Sequence, residues 1–270
     1  SAAKPCACLA IGVCAQRWIR LPPSRKLRAS KAGSLDTSLR HVSSGEPIKT
    51  EGEVHHLAAE YCLRAQDPDQ YGIADNVGFF RFDSDLFEWR ISPCSVFSPS
   101  KYLFWVFPGT TSAMEWCSNT FAQPLSAVGF PDGVGIHAGM YTEVANLLTS
   151  PEVVDLLNKV AREDTSGVQL VLAGYSRGGS LATVMLGQMF KLLEEDGIKH
   201  FSPKLTETAI ALLKRSRCVV FGAPAAFGIR KEHLPKQIRF LRFMQLRCTN
   251  YIHGDDPMPR HHQERTVKEA

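Results

Sequence analysis

Val168-Gln-Leu-Val-Leu-Ala-Gly-Tyr-Ser-Arg-Gly-Gly-Ser-Leu-Ala182 is the stretch that decides the fold. Val168 to Ala173 is β-rich and apolar, glycines at 174 and 178 then flank Ser176 as G-x-S-x-G, and Leu181, Met185, Met189 and Leu192 recur behind it at helical spacing. The pattern predicts a strand, a sharp turn and a helix, with Ser176 at the apex. Small neighbours let the chain turn tightly enough to present a strained, exposed hydroxyl, the arrangement called a nucleophile elbow. Serine is also a favoured helix cap, so the nucleophile reading draws its weight from the rest of the chain.

Outward from this stretch, strands alternate with helices. Glu53 to Gln66 places Val54, Leu57, Ala58, Tyr61, Cys62 and Ala65 on one helical face, and His55 and His56 among them are adjacent, so they cannot share a face as a metal pair. Val77 to Phe82 and Phe87 to Ile91 suit strands joined by a turn at Asp83-Ser-Asp85. Lys101 to Phe107 is dense in apolar residues, as expected of a strand buried on both faces, and stops at Pro108-Gly109. Met140, Val144, Leu147 and Leu148 predict one helix. Ser150-Pro151 opens another, with Val153, Val154, Leu157 and Val160 inward. A helix near Leu205 to Lys214, a strand at Cys218 to Phe221 and a β-rich run from Ile238 to Asn250 complete the series. The alternation predicts an α/β fold with a mostly parallel central sheet flanked by helices, whose chemistry belongs at the carboxyl ends of the strands. Thr110, Ser176, Pro224 and Asp256 all stand just past predicted strand ends.

With 270 residues and 44% hydrophobic content the chain can bury one substantial core. The net charge of +4 is uneven, because Lys4, Arg17, Arg20, Arg25, Lys26, Arg28 and Lys31 precede the first acidic residue, Asp36; setting those seven aside from the 31 basic residues leaves 24 against 27 acidic. The basic balance thus sits in a leader and makes no case for nucleic-acid binding. Residues 1–52 are expected to be a basic leader and linker, disordered or an organellar or secretory targeting segment, and residues 53–270 the folded domain. The first residue is serine, not methionine, and the expectation is a fragment or processed form. The eight cysteines, at 6, 8, 14, 62, 94, 117, 218 and 248, show no C-x-x-C pair, so no zinc site, no other metal and no cofactor is expected, and the thiols are expected to be reduced. No apolar run reaches the length of a transmembrane segment.

Five separated pieces then resemble one family in the correct order. Phe107-Pro-Gly-Thr-Thr-Ser with Trp116 resembles its oxyanion strand-turn, Ile136-His-Ala-Gly-Met140 its V-H-x-G-F, and Gly174-Tyr-Ser-Arg-Gly-Gly-Ser-Leu-Ala182 its elbow. Phe221-Gly-Ala-Pro224 and Asp256-Pro-Met-Pro-Arg260 resemble its F-G-A-P and D-x-V-P-R. The family is the class 3 lipases, of the α/β-hydrolase fold, and the resemblance covers roughly residues 55 to 262. It implies a serine carboxylester hydrolase acting on acylglycerols or related lipids, with an ester or lipid substrate and transient contact with a lipid interface. Ser176 is then the nucleophile and Asp256 the acid, with Asp255 as fallback, while the backbone N–H groups of Thr110 and Arg177 form the oxyanion hole. Residues 112 to 130, with Met114, Trp116, Phe121 and Phe130, fall at the lid position; an ordinary packed loop is the other reading. Pro108 stands where the family has arginine, and Arg177 puts a cation where many relatives are aliphatic, which favours a polar or anionic substrate edge.

The resemblance also calls for a base. The family order is Ser, Asp, His, and its histidine usually lies some tens of residues beyond the acid, whereas fourteen residues follow Asp256 here. His261 and His262 are close to the acid and suit a solvated tail, His137 matches a structural position, and His253 precedes the acid. Truncation at the C-terminus is the expected explanation; a base from His261 or His262 and a pseudoenzyme are the others. The alternative function is a catalytically silent α/β-hydrolase domain that binds a lipid or protein partner.

Overall fold

A computed structural model describes residues 8–9, 15–16, 50–66, 80–85, 88–93, 102–110, 124–125, 130–162, 168–191, 193, 204–230, 233, 235 and 237–252. In chain order the elements are β1 (Cys8–Leu9), β2 (Ala15–Gln16), α1 (Glu51–Gln66), β3 (Phe80–Asp85), β4 (Glu88–Pro93), β5 (Tyr102–Phe107), β6 (Pro124–Leu125), β7 (Val134–His137), α2 (Ala138–Thr149), α3 (Pro151–Arg162), β8 (Gln169–Tyr175), α4 (Arg177–Lys191), α5 (Glu207–Lys214), β9 (Arg217–Phe221), β10 (Phe227–Arg230), α6 (Ile238–Arg247) and β11 (Cys248–Tyr251).

The predicted architecture is present: β2-β11-β9-β8-β5 form a parallel sheet with helices on both faces. Its apolar runs are continuous because both faces are covered, each strand residue alternating between two cores. Phe104, Val106, Val171, Ala173 and Val219 pack beneath α1 with Val54, Leu57, Ala58, Tyr61, Cys62 and Ala65. Trp105, Phe107, Leu170, Leu172, Cys218 and Val220 face the larger core, which α2, α3, α4, α5 and α6 enclose. α4, threaded through that core, is buried along its whole length. A second sheet, β1-β10-β7-β6, is antiparallel, and β3 and β4 pair as a hairpin. Among the described residues, Cys62 and Cys218 are buried free thiols and Cys248 is buried as well, and burial pushes the Cys62 thiol up. No helix of the described residues is long and apolar enough to cross a membrane.

Three expectations need correction. The run Ile238–Asn250 is a ten-residue helix followed by a short strand. Phe240, Leu241, Phe243 and Met244 are buried while Arg239, Arg242, Gln245 and Leu246 are exposed, a helical face that outweighs the aromatic content. The topology suits it too, since parallel β9 and β11 are joined by a crossover, the kind of connection that is most often helical. Next, Asp83 to Asp85 belong to β3, paired through Asp85↔Glu88, so the hairpin reverses after them. Finally, α1 begins at Glu51 because Thr50 and Glu53 form a reciprocal capping box: the Glu53 N–H donates to Thr50 Oγ1 and the Thr50 N–H to Glu53 Oε2, both at 3.2 Å. Val153, Val154 and Leu157 face inward on α3 as expected, while the side chain of Val160 lies outside those described.

Candidate active site

β8 ends at Tyr175 and α4 begins at Arg177, so Ser176 alone makes the turn. Its φ is +51°, which makes it the one non-glycine residue in the left-handed region among the described residues. Such a conformation costs on the order of 1–3 kcal/mol and persists only where the surroundings enforce it. Here they do so from two sides. The Ser176 N–H donates to the Phe221 carbonyl at 2.9 Å, and the Ser176 carbonyl accepts from the Ser180 N–H at 3.2 Å. The flanking glycines permit the fit: a Cβ on Gly174 would stand 2.6 Å from the Gly179 nitrogen, and one on Gly178 would strike the Phe107 and Pro108 carbonyl oxygens.

That second approach joins the elbow to the end of β5. Phe107 is in register with Gly174, and Gly109 lies against Tyr175, where a Cβ would meet Tyr175 Cδ1 and the Tyr175 carbonyl oxygen at 3.4 Å each. The turn Pro108-Gly109-Thr110 therefore wraps the elbow, with Thr110 half-buried. The start of α4, with its N–H groups and the positive end of its dipole, lies beside the same turn.

A third loop closes on the elbow from β9. Gly222, at φ +57°, donates its N–H to the Tyr251 carbonyl at 2.7 Å. Buried Asn250 grips Ala223 with both ends of its amide, accepting the Ala223 N–H at 3.3 Å and donating to the Ala223 carbonyl at 3.0 Å. The Ser180 hydroxyl donates to the Pro224 carbonyl at 2.8 Å. The strand that leads towards Asp256 is thereby fastened to the helix behind Ser176.

Ser176, Arg177 and Thr110 thus share one edge of the parallel sheet. Asp256, Asp255, His253, His261 and His262 lie outside the described residues, as do Met114, Trp116 and Phe121 of the expected lid. Phe130, the remaining lid candidate, is corrected to a core residue, packed against Tyr141, Phe227 and Phe240 at centroid distances of 5.9–6.4 Å. His137 has the structural place expected of it, capping α2 by accepting the Met140 N–H at Nδ1, 3.4 Å.

The sequence over residues 104–265 matches the family described as lipase (class 3). The chain belongs to the class 3 lipase family. No curated protein sequence matches it. Among solved structures it is similar to a fungal lipase–inhibitor complex, at 16% identity and a TM-score of 0.52, covering 78% of this chain and 75% of that one. It is likewise similar to a lipase from Rhizopus microsporus var. chinensis, at 14% and 0.51, covering 79% and 70%, and to a Rhizomucor miehei lipase propeptide complex, at 13% and 0.50, covering 81% and 73%. Likeness at these identities shows the fold, which is that of the α/β-hydrolase lipases.

Within this class 3 lipase family member, Arg177 does not offer a cation to a substrate edge. Its side chain is 3% exposed and ion-paired with Glu143 of α2, itself 11% exposed, so the guanidinium is turned into the protein. Removing one partner of such a pair strands a buried charge, at a cost of about 3–5 kcal/mol. We expect Glu143→Gln to lower the melting temperature by roughly 10 °C, and the double change Arg177→Met with Glu143→Leu to recover most of that loss. A single variant as stable as the double one in thermal unfolding would contradict this placement of Arg177.

The parts played by Asn250, Ser180 and Glu143 are not evident from the motifs. Asn250 carries a signal, since a polar residue inside a short buried strand must find partners; Ser180 sits one helical turn after Ser176, on the face of α4 that meets the Pro224 loop. Glu143 gives no such signal.

Proposed function

We propose that this protein hydrolyses carboxylic esters of acylglycerols or related lipids through an acyl-enzyme on Ser176. The observation that carries the reading is the enforced left-handed Ser176, presented at the start of α4 against the Pro108–Thr110 turn in a chain of the class 3 lipase family. A serine hydroxyl is a weak nucleophile at its own pKa and must lose its proton to a base as it attacks. In this reading Oγ of Ser176 bonds to the ester carbonyl carbon and a histidine takes the proton. The N–H groups of Arg177 and Thr110 meet the charge on the tetrahedral oxygen, each worth about 3 kcal/mol of barrier. The histidine then protonates the departing alcohol, and water releases the acid by the reverse path. Asp256 orients the histidine. In the order the family uses, the histidine follows Asp256, and within residues 257–270 His261 and His262 do so. Substrate reaches the site from a lipid interface, in transient contact.

The test is turnover by the full chain of p-nitrophenyl esters of increasing acyl length and of emulsified mono-, di- and triacylglycerols. We expect hydrolysis that rises with acyl length and is inhibited by an active-site phosphonate. Absence of turnover on every ester, with lipid or protein binding retained, would instead establish the silent domain.

A further inference from the structure

The last residue of α1 reaches the oxyanion turn. Gln66 Oε1 accepts the Gly109 N–H at 2.9 Å, across 43 positions of sequence. The contact is close on all sides, since a Cβ on Gly109 would stand 2.8 Å from that oxygen as well as 3.4 Å from Tyr175. Pro108 has no N–H, so Gly109 is the first residue past β5 able to donate, and the N–H after it in the chain is that of Thr110. Holding the Gly109 N–H fixes the plane of the 108–109 peptide, one pair of dihedral angles away from the Thr110 N–H.

Gln66 is delivered by a rigid support. Val54, Leu57, Ala58, Tyr61, Cys62 and Ala65 bury α1 against the sheet. Upstream on the same helix, His55 Nδ1 is hydrogen-bonded to the Tyr251 hydroxyl at 2.5 Å, at the end of β11. α1 therefore bridges the strand that precedes Asp256 and the turn that carries Thr110, although it lies wholly outside residues 104–265.

We infer that Gln66 is a positioning residue for ester hydrolysis, holding the Pro108–Thr110 turn so that the Thr110 N–H meets the tetrahedral oxygen; this rests on the proposed function above. Donors of this kind count only when aimed where charge develops, and a misplacement of about 1 Å costs up to about 100-fold in rate. Gln66→Met keeps the volume and removes the acceptor, whereas Gln66→Glu keeps an oxygen at the same reach.

The test measures kcat, KM, inhibition by an alkyl boronic acid as tetrahedral mimic, melting temperature and amide exchange at Gly109 in the full chain. For Gln66→Met we expect kcat and boronate affinity to fall together by about 30-fold, with KM within about twofold and a nearly unchanged melting temperature, and faster exchange at Gly109. Gln66→Glu should recover most of the loss in kcat and restore slow exchange. A Gln66→Met protein with wild-type kcat and boronate affinity overturns the inference, as does one that loses thermal stability and KM but not kcat, because Gln66 then serves packing alone. If the wild-type chain turns over no ester, the hydrolase reading fails and this inference with it; an active wild type with an indifferent Gln66→Met fails the inference alone.

Discussion

Ser176→Ala is expected to abolish ester turnover, lowering kcat by on the order of 10⁴- to 10⁶-fold, while the protein stays folded. In the proposed mechanism the hydroxyl forms the bond to the acyl carbon. On that proposal, what remains after its loss is the contribution of the oxyanion N–H groups and of binding alone. The backbone around Ser176 is held by hydrogen bonds to Phe221 and Ser180 that do not involve the side chain. Alanine there keeps the φ near +51° at a strain similar to that of serine, so circular dichroism and melting temperature should stay close to wild type. Loss of turnover with an intact fold isolates the chemistry; retained turnover places the nucleophile elsewhere.

Gly178→Ala should have the opposite signature, a failure of folding more than of chemistry. The added methyl would collide with two backbone oxygens, those of Phe107 and Pro108. Backbone carbonyls at the end of β5, which is paired along its length with β8, cannot swing aside as a side chain can, so the start of α4 must lift from β5. Separating these elements breaks packing in the main core and displaces the Pro108–Thr110 turn together with the elbow, and we expect a loss of about 4 kcal/mol or more, or no soluble protein. Gly52→Ala is the matched control. Its Cβ would meet only Thr50 Oγ1 at 3.8 Å on an exposed face of α1, where alanine favours the helix and should raise stability by about 1 kcal/mol. Equal melting temperatures for the two variants would contradict the tight approach of elbow and β5.

These two glycines illustrate what a sequence discloses. G-x-S-x-G, flanked by a β-rich run and a helical period, specified strand, turn and helix because local geometry leaves few other solutions, and β8, Ser176 and α4 follow it. The apolar run at Lys101 to Phe107 announced a strand covered on both faces for the same reason. α6 was masked by its aromatic content, which favours a strand, although Phe240, Leu241, Phe243 and Met244 keep a helical spacing and parallel β9 and β11 need a crossover. The second sheet is built from strands of two to four residues, too short for a period to emerge. In the site, backbone geometry carried a motif and side-chain partnership did not. Gln66, Asn250 and Glu143 act across 43, 27 and 34 positions, distances that only the folded chain closes. Arg177 shows the cost: by sequence a cation beside the nucleophile, in the fold half of a buried ion pair.

Covalent labelling tests the central claim, that Ser176 is an activated nucleophile, most directly. The full-length protein is exposed to an alkyl fluorophosphonate, and the adduct is mapped by peptide mass spectrometry in wild type and in Ser176→Ala. The account predicts one adduct per chain on the peptide containing Gly174-Tyr-Ser-Arg-Gly178, and none in the variant. A wild-type chain that stays unlabelled, or an adduct that persists in Ser176→Ala, would contradict it.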